Sequence, residues 1–171
     1  MDVFRYAERV MAMDDAAWAR HANPWSGATR FTVLPLVALA VWSRVRIGGW
    51  ALVAVAAALT WAWWSPRAFA PVRDARPWMT RAVLGERVIL SNRDAVPSGH
   101  RRAALLLAAA SVPGILLVAG GLWALWWEGA VFGVVLAMLP KAWFCDRMMW
   151  LHDDRTGAGH AVPGAPPEEV R

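Results

Sequence analysis

Four long apolar stretches dominate the pattern of the chain. Residues 31–42, 47–64, 103–125 and 129–140 contain no charged side chain. A helix on the surface of a soluble bundle would carry polar residues along one face. Stretches without such a face are typical of membrane-spanning helices. The pattern therefore predicts an all-α integral membrane four-helix bundle of two antiparallel hairpins, with spans at about 26–43, 49–64, 103–125 and 129–151.

The ends of these spans carry recognisable capping and turn signals. Ser26 is a plausible N-cap for the first span, which at about 26 Å is barely long enough for a hydrocarbon core of about 30 Å. Arg44, Arg46 and the Gly48-Gly49 pair predict a tight turn between the first two spans. Pro113-Gly114 predicts a kink in the third span, because proline cannot donate the helical hydrogen bond.

The remaining segments predict shorter elements outside the spans. Residues 3–11 have the spacing of an amphipathic surface helix, and Asp14 or Asp15 caps a second short helix that ends before Pro24. Within the connection 65–102, the pattern from Trp78 to Leu90 favours an interfacial helix. Residues 1–155 would then form a single transmembrane domain, followed by a disordered cytoplasmic tail at 156–171, which is rich in Gly, Pro and Glu.

The arginines fix the expected orientation. The connection from Ser65 to Arg102 carries eight of them, whereas Arg44 and Arg46 are the only basic residues in the turns between paired spans. By the positive-inside bias, that connection and both termini are predicted to be cytoplasmic in a bacterial inner membrane. The net charge of +5 then favours anionic lipid head groups as partners. It does not favour nucleic acid, because no nucleic-acid-binding motif accompanies the charge.

Composition and tryptophan placement support the membrane prediction. Apolar residues make up 58% of the chain and charged residues 18%, and the mean hydropathy is +0.34. Indole rings favour membrane interfaces, and the predicted spans bring them into two belts. The outer belt comprises Trp42, Trp50, Trp123, Trp126 and Trp127, and the inner belt Trp25, Trp61, Trp63, Trp64, Trp143 and Trp150.

Charged residues interrupt the fourth apolar segment. Lys141, Asp146 and Arg147 fall in the inner half of the bilayer or at its edge, where ionisable groups normally pair, snorkel or face the bundle interior. Arg30 is a reachable partner for Asp146 across the first and fourth spans. The simpler interpretation is a structural ion pair with a snorkelling lysine, and the alternative is a proton-handling or substrate-binding cluster.

Histidines near the inner ends of the spans are candidates for chemistry. His21, His100 and His152, together with Asp153, could form a zinc or iron site if the helix ends converge, although no metal-ligand spacing is present. Ordinary interfacial histidines are the simpler interpretation. The sequence contains no cofactor-binding or nucleophile motif, so no cofactor is expected. Candidate acid or base groups are His21, His100 and Asp146.

The arginine-rich connection is a candidate phosphate site, because guanidinium groups match phosphate oxygens in a bidentate way. The ordinary alternative is a solvated helix and turn with local pairing of glutamate and arginine. The candidate ligand-binding residues are Asn23, Arg30, Glu86, Arg87, Asn92 and Arg147.

Three blocks of the sequence resemble the recurrent blocks of an uncharacterised family of small prokaryotic integral membrane proteins. They are His21 to Ser26 with Arg30-Phe31, Leu84 to Val88 with Asn92-Arg93, and Trp143 to Leu151. The resemblance implies a four-helix membrane protein and no known activity. All three blocks fall on the predicted cytoplasmic side, and we hypothesise that they form one polar surface.

Three classes of function remain open on the sequence alone. The first is a noncatalytic protein that organises or assists a membrane protein partner or forms a homo-oligomer. The second is an enzyme or binder that acts on a phosphorylated lipid or isoprenoid head group from the cytoplasmic side. The third, a small transporter, is disfavoured because the outer halves of all four spans are apolar.

Overall fold

The computed structural model describes residues 14–91 and 93–157, and every regular element in this part of the chain is helical. The all-α prediction is therefore confirmed for the described residues. The helices are α1 (Asp15–His21), α2 (Pro24–Thr29), α3 (Val33–Trp42), α4 (Ala51–Trp64), α5 (Trp78–Ser91), α6 (Ser98–Ala110), α7 (Val112–Trp123) and α8 (Trp127–Thr156). The predicted helix at 3–11, Asn92 and tail residues 158–171 lie outside the described residues.

Two capping residues start the first helices. The Asp14 carboxylate accepts a hydrogen bond from the Ala17 amide across 2.7 Å, which confirms the predicted cap of α1. For α2, the Asn23 side chain accepts from the Trp25 amide, and Pro24 occupies the first turn. The prediction that Ser26 is an N-cap is wrong, because proline suits a first helical turn and the helix begins earlier.

The helices α3 and α4 form a hairpin. Between them lie one helical turn, Arg44–Ile47, and a 3₁₀ turn, Gly48–Trp50, where Gly48 adopts a φ of +54°. The two helices pack side by side. At the open end of the hairpin, the Ser26 hydroxyl donates to the Ser65 carbonyl across 3.4 Å, so residues at the start and the end of the hairpin are in contact.

The helices α6 and α7 form one interrupted stretch. The break falls at Ser111, whose amide bonds to the Ala108 carbonyl across 3.3 Å, because Pro113 has no N–H to continue the ladder. The interruption expected at Pro113-Gly114 is thus seen as a break in the helix. The helix α6 begins at Ser98, before the predicted start of the third span at 103, because the loss of charge marks the apolar region and not the end of a helix.

A second hairpin, of α7 and α8, has closely packed backbones. A Cβ placed on Gly121 would lie 2.5 Å from the Ala130 nitrogen, and Gly114 and Gly133 are similarly crowded by α8 and α7. The long helix α8 ends at Gly157, which has a φ of +73°. The helix continues past the predicted end of the fourth span at 151, because the polar residues that follow remain helical and pair with other helices.

The two hairpin turns lie at the same end of the molecule, where the Arg44 guanidinium donates to the Leu122 carbonyl. The opposite end holds α1, α2 and α5 packed against the ends of α6 and α8. We call residues 14–32, 65–102 and 141–157 the polar cap. Three helical stretches are long and apolar enough to cross a membrane: Pro24–Trp64, Ser98–Trp123 and Trp127–Thr156.

Most tryptophans of the two predicted belts are exposed. Trp50, Trp123, Trp126 and Trp127 lie exposed near the hairpin turns, and Trp25, Trp63, Trp64, Trp143 and Trp150 lie exposed near the polar cap. Trp42 and Trp61 are half-buried. The exposed rings therefore cluster near the two ends, as amphipathic rings do in proteins that face two interfaces.

Candidate functional site

The cap is assembled around α5, which packs between α2 and α8. A Cβ on Gly85 would lie 1.8 Å from the Met148 carbonyl oxygen, and one on Gly27 would lie 2.3 Å from Met79 Cγ. At Gly85 only glycine permits this approach, because the crowding atoms belong to the Met148 backbone. The next residue, Glu86, is half-buried within the cap.

His21 anchors α1 in this interior with 1% of its surface exposed. Its Nδ1 lies 3.1 Å from the Ser26 hydroxyl oxygen. Since the Ser26 hydroxyl donates to the Ser65 carbonyl, its oxygen accepts from His21 Nδ1–H. Burial and then the positive charge of Arg30 lower the pKa of His21 to about 3, so the ring is neutral at physiological pH.

Glu86 interacts electrostatically with two cations from different helices. Burial by itself would raise the pKa of this carboxyl group, but the charges of Lys141 and Arg30 outweigh burial and hold the pKa below its ordinary value. Among the described residues, no ion pair within 4.0 Å joins Glu86 to either cation. The cluster of Arg30, Glu86 and Lys141 therefore combines two positive charges with one negative charge.

Three aspartates of the cap have side-chain partners on other helices. Arg81 pairs with Asp153 across 2.6 Å, His100 Nε2 lies 3.0 Å from Asp154, and Arg87 pairs with Asp15. These contacts join α5, α6 and α1 to one another and to α8. Three segments that are distant in the sequence thus meet in one cap.

Asp146 has a different partner from the one predicted. It accepts a hydrogen bond from Trp78 Nε1 across 3.3 Å, and among the described ion pairs none joins it to Arg30. The reason is the position of α5, which lies against α8 and brings Trp78 to this carboxylate. The pairing of α5 with α8 has no local sequence signal.

The suggested metal ligands do not converge. His21 contacts Ser26, His100 contacts Asp154, and Asp153 contacts Arg81. Within residues 14–91 and 93–157, no group of three His, Cys, Asp or Glu side chains is placed to hold a metal ion. The structure gives His21 and His100 separate structural contacts.

The candidate ligand-binding residues have different surroundings. Asn23 donates to the Ala70 carbonyl across 3.1 Å, and this contact ties α2 to the connection. Arg30 and Glu86 share the charged cluster, whereas Arg87 is held by Asp15. Asn92 lies outside the described residues. Sequence reasoning missed the contact of Ser26 with His21 and the place of Lys141 beside Glu86.

Three cations of the cap rest against aromatic rings. The guanidinium of Arg67 lies 4.2 Å from the centre of the Trp63 ring, and that of Arg147 lies 5.1 Å from the Trp150 ring. The Lys141 ammonium lies 4.8 Å from the Phe144 ring. Trp63 and Trp150 are both exposed near the cap.

The apolar helices and the polar cap together define a helical membrane protein. The chain belongs to a family of unknown function, DUF6653, whose profile matches residues 4–166. No curated protein and no solved structure matches the chain. Family membership therefore accords with the sequence resemblance and assigns no activity.

Proposed function

We propose that this is a four-span protein of the bacterial inner membrane whose polar cap binds anionic phospholipid head groups without catalysing a reaction. In this proposal both termini are cytoplasmic. The cap lies at the inner leaflet, and the two hairpin turns face the periplasm.

The closed first hairpin supports four spans. The stretch Pro24–Trp64 is too long for one crossing, because 41 residues of straight helix would reach about 60 Å. The chain reverses at Gly48, and the bond between Ser26 and Ser65 brings the two ends of the stretch together. Each of α3 and α4 is shorter than an ordinary span, and their flanking turns extend the hairpin.

Charge supports the orientation. The polar cap contains 13 basic and 8 acidic residues, whereas the opposite end contains Arg44, Arg46 and Glu128. Basic residues concentrate on the cytoplasmic side of membrane proteins. The same excess attracts anionic lipids by about 1 kcal/mol for each basic residue near the surface.

The observation that carries the lipid proposal is the way in which Arg147 is held. Its guanidinium lies over the exposed Trp150 ring, and its Nε is buried without a hydrogen-bond partner among the described residues. Meanwhile Asp146, Asp153 and Asp154 on the same helix are bonded to α5 and α6. An arginine held at the tryptophan belt with no carboxylate partner there is positioned for a lipid phosphate.

The surroundings of the candidate acid and base groups favour binding over catalysis. His21 and His100 are buried, and each already contacts a side chain within the cap. Asp146 accepts from Trp78. A general acid or base must reach a proton of the substrate, and these groups are engaged elsewhere.

Native mass spectrometry of the full chain in mild detergent tests the lipid proposal. Purified protein is stripped of lipid and incubated with phosphatidylglycerol or with zwitterionic phosphatidylcholine. We expect selective retention of phosphatidylglycerol and a loss of about fivefold in Arg147→Ala, which corresponds to about 1 kcal/mol for one interfacial cation.

Arg46→Ala is the matched control, because Arg46 is exposed in the hairpin turn at the opposite end of the molecule from the polar cap. This variant should retain the lipid as the unmodified chain does. Equal retention of the two lipids, or an equal loss in both variants, would contradict the proposal. Copurification of a protein partner with no lipid preference would favour the scaffold alternative.

A further inference from the structure

An apolar groove separates the two hairpins in the membrane region. It has a volume of about 370 Å³ and lies between α3, α7 and α8. Its lining includes Pro35, Leu39, Trp42, Leu122, Val131 and Val134. A volume of this size falls within the range of ligand pockets, which runs from about 300 to 1,000 Å³.

One residue of the charged cluster, Lys141, lies on the face of α8 that lines the groove. On α8, Val131, Val134, Met138 and Lys141 are spaced three or four residues apart, so they share one face of the helix. Lys141 lies seven residues beyond Val134, or about 10 Å along the helix. On the opposite wall, Arg30 lies in the 3₁₀ turn that leads into α3.

The charges at this end of the groove fit an anion. Arg30 and Lys141 both act on the single carboxylate of Glu86, and neither forms an ion pair with it among the described residues. With His21 neutral, the cluster has one more positive than negative charge. A phosphodiester carries one negative charge and would balance it, and its oxygens suit both cations.

We propose that one anionic phospholipid occupies this seam, with an acyl chain in the groove between α3 and α8 and its phosphate beside Arg30 and Lys141. The inference rests on the proposed function in taking an anionic phospholipid as ligand. It adds a specific site, which is separate from Arg147 at the tryptophan belt. The anionic head distinguishes this lipid from any lipid that merely surrounds the helices.

The groove is tested by filling it. Val131 is 54% exposed and lines the groove, so Val131→Trp can occupy the space without entering the packed core. Leu139→Trp is the matched control, because Leu139 is 63% exposed on the same helix and is not part of the groove lining. Val135→Trp, also in the lining, is the second groove variant should Val131→Trp fail to fold.

The full chain in detergent is delipidated in steps and incubated with phosphatidylglycerol. Native mass spectrometry then measures retention of the most tightly bound lipid molecule. We expect a groove variant and Lys141→Gln each to lower its retention by about fivefold, by steric exclusion and by loss of one cation, while Leu139→Trp leaves it unchanged.

Two results would separate this inference from the proposed function. Retention in the groove variant equal to that in Leu139→Trp overturns the seam site, and a persisting loss in Arg147→Ala would then leave the proposed function standing. Unchanged retention in Lys141→Gln overturns the placement of the phosphate. Absence of any preference for phosphatidylglycerol over phosphatidylcholine overturns both proposals.

Discussion

His21 shows how a single buried side chain fixes the start of the cap. It connects α1 to α2 through Ser26, which in turn reaches the end of α4 at Ser65. Both serines are fully buried, and the Ser26 hydroxyl finds its partners within the protein, in His21 Nδ1 and the Ser65 carbonyl. The ring contributes to stability in its neutral form only.

This requirement predicts a pH dependence. The pKa of His21 is about 3 in the folded protein and about 6.5 in the unfolded chain, so the unfolded state binds more protons between these values. The free energy of unfolding should therefore fall on acidification, beginning near pH 6.5, and by about 2 kcal/mol from about pH 7 to about pH 5. The glutamine of His21→Gln cannot titrate. In denaturant titrations of the detergent-solubilised variant, the free energy of unfolding should therefore depend less steeply on pH over this range. An unchanged slope would show that other groups control the acid sensitivity.

Individual side-chain contacts were the hardest features to predict from the sequence. The cap of α1 by Asp14 has a local signal and was predicted, because the capping residue and its amide are three residues apart. The bonds from Trp78 to Asp146 and from Arg81 to Asp153 join residues 68 and 72 positions apart. Such pairs depend on which helices pack together, and no local pattern encodes that.

At the level of helices, α5 holds the cap together. It lies between α2 and α8, and its approach to α8 leaves no room for a side chain at Gly85. The pattern of the sequence predicted a helix from Trp78 to Leu90, and the structure has one at Trp78–Ser91. That this helix packs against α8 could not be predicted, because its half-apolar pattern suits a bilayer surface equally well.

Gly85→Ala tests the approach of α5. The added methyl group would clash with the Met148 carbonyl oxygen, a backbone atom that cannot move away by a change of rotamer. We therefore expect a loss of about 1–3 kcal/mol in unfolding free energy. Gly120→Ala is the control, because nothing lies within 4 Å of its added Cβ and alanine favours helix over glycine. Thermal unfolding in detergent should separate the two variants. Equal melting temperatures would mean that α5 does not contact α8 as described.

For the whole molecule, the apolar pattern predicted the sequence of helices well. Helices occupy all four predicted spans, and two of them extend beyond the predicted span bounds, to Ser98 and to Thr156. The predicted bounds followed the apolar region, whereas the helices continue into the polar cap. The number of membrane crossings depends on the turn at Gly48, where the chain folds back on itself.

Cysteine labelling of intact cells tests the central claim, that the chain crosses the membrane four times with the cap on the cytoplasmic side. Single cysteines replace the exposed residues Gly49, Ala75 and Glu128 in a Cys145→Ser background. The account predicts that a membrane-impermeant maleimide labels positions 49 and 128 from outside, and position 75 only after lysis. Labelling of position 75 from outside, or of 49 and 128 on opposite sides, would contradict it.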